Sequence, residues 1–128
     1  SLHHPLAKKK IIDLAEAANE KFIVHPSTQS IYDLSIAACR KAGFFPDIVC
    51  HSSHFPTSLS LISAGMGVSF YPMEIVNARP DQLSVVRLRE PFRKDICMVT
   101  RSLHTPALSV FEKYVREWVA SQVAPEFL

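Results

Sequence analysis

The sequence predicts an α/β fold with a mostly parallel sheet, because short apolar strands alternate with amphipathic helices along the chain. The clearest unit is residues 48–72, IVCHSSHFPTSLSLISAGMGVSFYP, whose order is strand, polar turn, helix, glycine turn and strand. Such a unit with short connections requires parallel strands and a right-handed crossover. In such units, a ligand usually binds at the carboxyl end of the first strand, against the start of the helix.

Within this unit, proline and glycine mark the boundaries. Pro56 suits the first turn of a helix, where the missing N–H costs nothing. Gly65 ends that helix, and residues 68–71 are predicted to form a second buried strand that Pro72 closes.

The N-terminal half predicts the same alternation. Residues 9–19 indicate a short helix, residues 22–25 an apolar strand and residues 30–42 an amphipathic helix. Gly43 is the natural end of the second helix. The buried face of that helix is predicted at Ile31, Leu34, Ala38 and Cys39.

The C-terminal third predicts a short helix at residues 73–78 and strands at residues 83–88 and 95–101. Thr105 and Pro106 are a typical helix start, with a capping hydroxyl before a proline. One face of the closing helix carries Leu108, Phe111, Val115, Trp118 and Val119.

Composition limits the class of protein. The 128 residues suit one small domain or part of a larger one, and 48% hydrophobic residues are enough for a core. A net charge of +2 gives no nucleic-acid footprint by itself. Because Cys39, Cys50 and Cys97 each lie in apolar runs, we expect buried free thiols in a reducing cytoplasm. No secretory signal or membrane-spanning run of ~20 apolar residues is visible, although the abrupt start suggests a cut from a longer protein.

Polar loops follow two strands that are predicted to be neighbours. The loop at residues 26–30 precedes one helix, and the loop at residues 52–55 precedes the next. Because both helices would start at the same edge of the sheet, one cleft would be lined by two helix N-termini. Each terminus favours an anion by about 0.3–1 kcal/mol, so a carboxylate or a sulfate-like group is the expected guest.

The motifs do not favour a metal site or an enzyme. His51 and His54 lie near Cys50 in the sequence, and His25 could approach from the neighbouring strand, but successive strand residues point to opposite faces and no carboxylate is nearby. No nucleophile elbow, P-loop, dinucleotide-binding glycine pattern or paired-cysteine motif is present. We therefore expect no catalytic residue, no cofactor and no metal.

Three segments in the same order resemble the effector-binding domain of LysR-type transcriptional regulators. They are EKFIVHPSTQSIYDL at residues 20–34, CRKAGFFPDIV at residues 39–49 and SLSLISAGMGVSFYP at residues 58–72. The resemblance implies a type 2 periplasmic-binding-protein-like fold of two α/β subdomains. Residues 1–88 would form the second subdomain, with a crossing strand near 83–88. Residues 89–128 would be the C-terminal strand and helix that return into the first subdomain.

The same resemblance implies a small-molecule sensor without enzymatic activity, which closes around a small organic anion. The N-terminal DNA-binding domain and the first half of the first subdomain would be absent from this chain. The parent would be a cytoplasmic homodimer or tetramer that binds DNA only through the absent domain and does not bind a membrane. The implied effector-binding residues are Ser27, Thr28, Gln29, Ser53, His54 and Phe55.

Two alternatives use the same architecture. A solute-binding protein would serve transport and would carry a signal peptide upstream. An enzyme on this fold, such as a prephenate-dehydratase-like lyase, would need Ser27, Thr28 or Ser53 for its rate rather than for binding.

Overall fold

A computed structural model describes residues 1–72, 82–94, 97–100 and 105–122. The chain forms two compact units, residues 1–94 and residues 95–128. The strands are β1 (Ile11–Ile12), β2 (Lys21–Val24), β3 (Asp47–His51) and β4 (Arg87–Leu88), and the α-helices are α1 (Ser30–Lys41), α2 (Phe55–Ser63) and α3 (Pro106–Gln122). The predicted helix at residues 73–78 lies outside the described residues.

Strand β2 is the centre of the first unit. It pairs in parallel with β3, with Lys21 opposite Asp47 and Val24 opposite His51. On its other edge, Phe22 forms a parallel bridge with Val68. A parallel strand with neighbours on both edges is covered on both faces, which explains why the apolar run that begins at Phe22 is buried throughout.

The alternation of side chains along β2 divides the core into two clusters. Phe22 and Val24 belong to one cluster, and Ile23 belongs to the other. The buried members are Ala17, Phe22, Val24 and Cys39 in the first cluster, and Ile23, Leu59, Ile62 and Leu83 in the second. Helix α1 contributes to the first cluster and α2 to the second, so β2 is sandwiched between two helices.

Helix α1 confirms the predicted helix, but its buried face differs from the prediction. The buried residues are Ser35, Ile36 and Cys39, whereas the predicted Ile31, Leu34 and Ala38 are only partly buried. The Ser35 hydroxyl donates to the Ile31 carbonyl at 2.7 Å, and this bond allows a polar side chain to be buried. A pattern of apolar residues could not identify that serine.

Both predicted glycine boundaries are confirmed. Gly43 follows α1 with φ 90°, and Gly65 follows α2 with φ 81°. This left-handed backbone is costly for residues with a Cβ, and glycine adopts it freely. Pro56 lies in the first turn of α2, as predicted.

The segment at residues 9–19 is not the predicted helix. Ile11 and Ile12 form β1, which pairs in parallel with β4 in a separate two-stranded sheet. A 3₁₀ turn, Leu14–Ala17, follows and is held by a capping box, in which the Asp13 N–H donates to the Glu16 carboxylate at 3.1 Å. Two adjacent β-branched residues and an early cap therefore break the helical pattern.

The predicted strand at residues 68–71 is reduced to a bridge at Val68. The Val68 N–H donates to the Lys21 carbonyl at 2.8 Å, and the Ile23 N–H donates to the Val68 carbonyl at 2.9 Å. Beyond this point Phe70 packs against the Phe22 ring, with a centroid distance of 5.7 Å. Side-chain packing thus continues where the ladder of hydrogen bonds ends.

The second unit holds α3, whose predicted start is confirmed. The Leu108 N–H donates to the Thr105 hydroxyl at 3.3 Å, so Thr105 caps the helix. The strand predicted at residues 95–101 is not formed at residues 97–100, which have no regular secondary structure, and its other residues lie outside the described part. At residues 83–88, the structure reduces the predicted strand to the two residues of β4.

The three cysteines differ in burial, in contrast to the prediction that all are buried. Cys39 is fully buried, Cys50 is half-buried and Cys97 is exposed. Burial raises the pKa of the Cys39 thiol to about 11. No helix in the described residues is long and apolar enough to cross a membrane.

Candidate functional site

The candidate site lies where β2 and β3 end side by side. Val24 is paired with His51, and the Ser52 N–H donates to the Val24 carbonyl at 2.9 Å. Each strand leads through a short polar loop into a helix, the first into α1 and the second into α2. The structure therefore brings the two predicted loops to the same edge of the sheet, in the first unit of the chain.

The first loop presents hydroxyl groups that are not used within the described structure. Ser27 and Thr28 are exposed, and their side chains make no hydrogen bond to the described residues. Gln29 is the N-cap of α1, with φ −109° and ψ 132°, but its side chain does not cap the helix. These polar groups therefore do not serve the helix start.

A tight turn orients this loop. The Gln29 N–H donates to the Pro26 carbonyl at 2.9 Å, and the Tyr32 N–H donates to the Gln29 carbonyl at 2.9 Å. The first N–H groups of a helix have no partner within it, so the start of α1 also offers backbone donors. The loop thus combines side-chain hydroxyls with the positive end of a helix dipole.

The second loop likewise precedes a helix and presents polar side chains that do not cap it. His54 is the N-cap of α2 and makes no side-chain cap bond, and Ser53 is exposed with no hydrogen-bond partner among the described residues. The His54 carbonyl accepts from the Ser52 hydroxyl at 3.3 Å and from the Ser58 hydroxyl at 3.1 Å. Neighbouring serines hold the backbone of this loop, and the Ser53 hydroxyl and the His54 ring remain available.

Three aromatic rings form a cluster beside the second loop. His25 directly follows β2, Phe55 is the first residue of α2, and Tyr71 comes from the segment after the Val68 bridge. Their ring centroids are 5.7 Å apart for His25 and Phe55, 5.6 Å for His25 and Tyr71, and 5.5 Å for Phe55 and Tyr71. The rings are tilted or edge-to-face, the arrangement that aromatic pairs prefer. We call these three residues the aromatic cluster.

Phe55 forms a wall rather than part of the core. In the structure, 42% of this residue is exposed. An exposed phenyl ring beside two polar loops offers an apolar surface to a bound molecule.

His25 and Tyr71 also line the candidate site, and the sequence did not identify either as a candidate for effector binding. The histidine was considered only as a metal ligand, and the tyrosine only as a strand residue. The one available signal was a histidine that ends the otherwise apolar run FIVH. A polar ring at the end of a buried central strand points to the edge where ligands bind.

Burial governs the electrostatics of the aromatic cluster. It lowers the pKa of His25, and the positive charge of Lys94 lowers it further. Burial also raises the pKa of Tyr71, and an interaction with the buried Ser58 hydroxyl opposes part of that rise. At neutral pH both rings are therefore uncharged, and they can act as hydrogen-bonding groups that do not compete with the helix termini for an anion.

The described residues contain no group of three histidine, cysteine or acidic side chains that could hold a metal ion. The groups that the site presents suit binding: hydroxyl and N–H donors from two loops for a negative group, and an aromatic surface for an apolar body.

A model of the LysR substrate-binding domain family matches residues 1–120 of the chain. The transcriptional dual regulator GltC of Bacillus subtilis strain 168 is 35% identical over 71 residues, which are 56% of this chain and 24% of GltC. The uncharacterized HTH-type regulator YybE of the same strain is 24% identical over 115 residues, which are 88% of this chain and 39% of YybE. The chain thus spans less than half the length of these two relatives.

Solved structures show the same fold. The effector-binding domain of QuiR, solved in complex with shikimate, has a TM-score of 0.75 at 21% identity, over 97% of this chain and 60% of that one. HinK, a LysR family transcriptional regulator from Pseudomonas aeruginosa, has a TM-score of 0.72 at 21% identity, over 91% of this chain and 42% of HinK. These likenesses confirm the predicted α/β, periplasmic-binding-protein-like fold class.

Proposed function

Because the chain belongs to the LysR substrate-binding domain family, we propose that it senses a small organic anion at the edge where β2 and β3 end. The observation that carries this proposal is the pair of loops whose hydroxyls stay unused although each loop starts a helix. The proposed effector contacts are Ser27, Thr28, Gln29, Ser53, His54 and Phe55. The anion would lie between two helix N-termini, where both dipoles favour negative charge.

The natural full-length protein would bind DNA through a separate domain and respond to the effector by a change in shape. We infer that residues 1–88 form one subdomain and that residues 89–128 return into the other. An effector bridging the two would shift the population toward a closed arrangement. Assembly as a homodimer or tetramer in the cytoplasm belongs to the same proposal, which assigns the protein no enzymatic activity and no membrane partner.

Relatives supply further support for a sensor. GltC is named a transcriptional dual regulator, and the QuiR domain was solved with shikimate. Shikimate is a ring-bearing carboxylate, and the candidate site offers both anion donors and an aromatic wall. It is therefore the first probe for this chain.

The experiment replaces one hydroxyl in each loop. Thr28→Ala and Ser53→Ala in the natural full-length protein should each weaken binding by about 1–3 kcal/mol, because a polar group of the effector loses its partner. Isothermal titration calorimetry with shikimate, and then with other small carboxylates, measures the effect. Ser60→Ala is the matched control, since the Ser60 hydroxyl donates to the Pro56 carbonyl at 2.9 Å within α2. Binding curves that are unchanged in both loop variants would contradict the assigned site.

A further inference from the structure

His25 is buried in an unusual way. Only 6% of the residue is exposed, yet its ring makes no hydrogen bond to the described residues. Buried histidines normally satisfy their ring nitrogens with protein partners. No buried side-chain nitrogen or oxygen in the described part of the chain lacks a partner, so the ring nitrogens of His25 keep contact with solvent. The ring is therefore packed in the aromatic cluster, while its nitrogens keep some access to solvent.

The position of His25 places its ring at the candidate site. His25 follows the last residue of β2, and its ring contacts Phe55, the first residue of α2. It lies two residues beyond Ile23, so strand alternation turns it toward the same cluster as α2. Tyr71 closes the other side of the ring. Three elements thus hold the imidazole in place at the start of a helix.

The protonation state restricts what the imidazole can bind. Burial and the charge of Lys94 both disfavour the protonated ring. A neutral imidazole has one donor and one acceptor, which matches a hydroxyl group better than a carboxylate. A carboxylate finds better partners at the two loops, where N–H groups and helix dipoles meet.

We propose that His25 determines specificity, and that the effector is a ring-bearing hydroxycarboxylate whose ring lies on Phe55 and whose hydroxyl hydrogen-bonds His25. This inference rests on the proposed function and adds the chemical class of the effector. The carboxylate is held by the loops of Thr28 and Ser53. The ring of the effector packs on the exposed face of Phe55. The hydrogen bond to the imidazole favours a ring that carries a hydroxyl over one that does not.

The test compares probes that differ in one hydroxyl. Calorimetry of the natural full-length protein uses 2-, 3- and 4-hydroxybenzoate, with benzoate as the bare ring and succinate as the acyclic acid. We expect at least one hydroxybenzoate to bind about tenfold more tightly than benzoate, as one added hydrogen bond provides. Succinate should bind more weakly than benzoate, because it makes no contact with Phe55.

Variants assign these preferences to residues. His25→Phe keeps a ring and removes the nitrogens, so the preference for hydroxybenzoate over benzoate should fall to about threefold or less. His25→Gln keeps hydrogen-bonding groups and should retain part of the preference. Phe55→Leu should weaken benzoate and hydroxybenzoate equally, because it alters the wall and leaves the imidazole in place.

Each other result overturns the inference in a distinguishable way. A preference that persists in His25→Phe would remove the histidine from recognition. Tighter binding of succinate than of any ring would refute the effector class, and so would the absence of binding by all ring acids. If succinate binds more tightly than every ring acid and Thr28→Ala or Ser53→Ala weakens its binding, the proposed function survives, whereas the effector class and the role of His25 fail.

Discussion

The two units of the chain use similar apolar patterns with opposite outcomes. In residues 1–94, β2 lies between two helices and Phe22 is 1% exposed. In residues 95–128, α3 has an equally clear apolar face, yet Phe111 is 55% exposed and Trp118 is 54% exposed. Periodicity therefore predicts which face of a helix is apolar, whereas burial depends on a covering surface. The first unit supplies such a surface for itself, whereas much of the apolar face of α3 is exposed.

The largest expected effect comes from the same substitution made in each unit. Phe22→Ala should destabilise the protein by about 3–5 kcal/mol, because it opens a cavity in a packed core. Phe111→Ala is the matched control and should cost well under that amount in this chain, since its ring is already half exposed. Urea unfolding followed by circular dichroism measures both changes. Equal losses would show that α3 is covered as completely as β2.

Thiol reactivity offers a second contrast between the units. Cys39 is buried in the first unit with its pKa raised to about 11, and Cys97 is exposed in the second. Because the thiolate is the reactive form, Cys97 should react with a disulfide reagent at pH 8 at least about a hundredfold faster than Cys39. Mass spectrometry of the labelled peptides reads both rates in one sample, and addition of urea should abolish the difference. Rapid labelling of Cys39 in the native protein would contradict its burial.

Glycine positions test how closely the first unit is packed. A Cβ at Gly67 would lie 2.4 Å from the Lys21 carbonyl oxygen, because the N–H of the next residue, Val68, is hydrogen-bonded to that carbonyl in β2. Gly67→Ala should therefore cost about 1–3 kcal/mol through overpacking. Gly65→Ala is the control: open space surrounds that position, and its positive φ alone should cost about 1 kcal/mol. Thermal unfolding of the two variants compares the cost of the Cβ clash at Gly67 with the cost of backbone strain at Gly65. A smaller loss of stability in Gly67→Ala than in Gly65→Ala would mean that the bridge at Val68 moves freely.

Much of the structure of the first unit could be predicted from local sequence signals. Gly43 and Gly65 ended their helices where expected, and Pro56 started α2. These predictions succeeded because the constraint on each residue is local. The two polar loops were also predicted to be neighbours, since strand order fixes which carboxyl ends meet.

Errors arose where tertiary partners decided the outcome. Ile11 and Ile12 form a strand because β4 pairs with them, and no signal near residue 11 identifies a partner at Arg87. Ser35 is buried because a carbonyl satisfies its hydroxyl. The sequence did not identify His25 as a candidate for binding, because the rings around it come from distant positions in the sequence.

The smallest expected effect is a pH dependence confined to the first unit. The pKa of His25 is lowered below its ordinary value of about 6.5 by burial and by Lys94, with the uncharged Tyr71 as its other neighbour. The unfolded chain therefore takes up a proton more readily than the folded one. The stability associated with neutral His25 is complete above about pH 6.5 and is lost as the pH falls through the lowered pKa. His25→Phe removes this group while keeping a ring, so the variant should lose less stability than the wild type between about pH 7 and pH 5. Urea unfolding at each pH, with both proteins in the same buffers, isolates this one residue from the other titrating groups. Parallel curves for the two proteins would mean that His25 is protonated as easily in the folded chain as in the unfolded one.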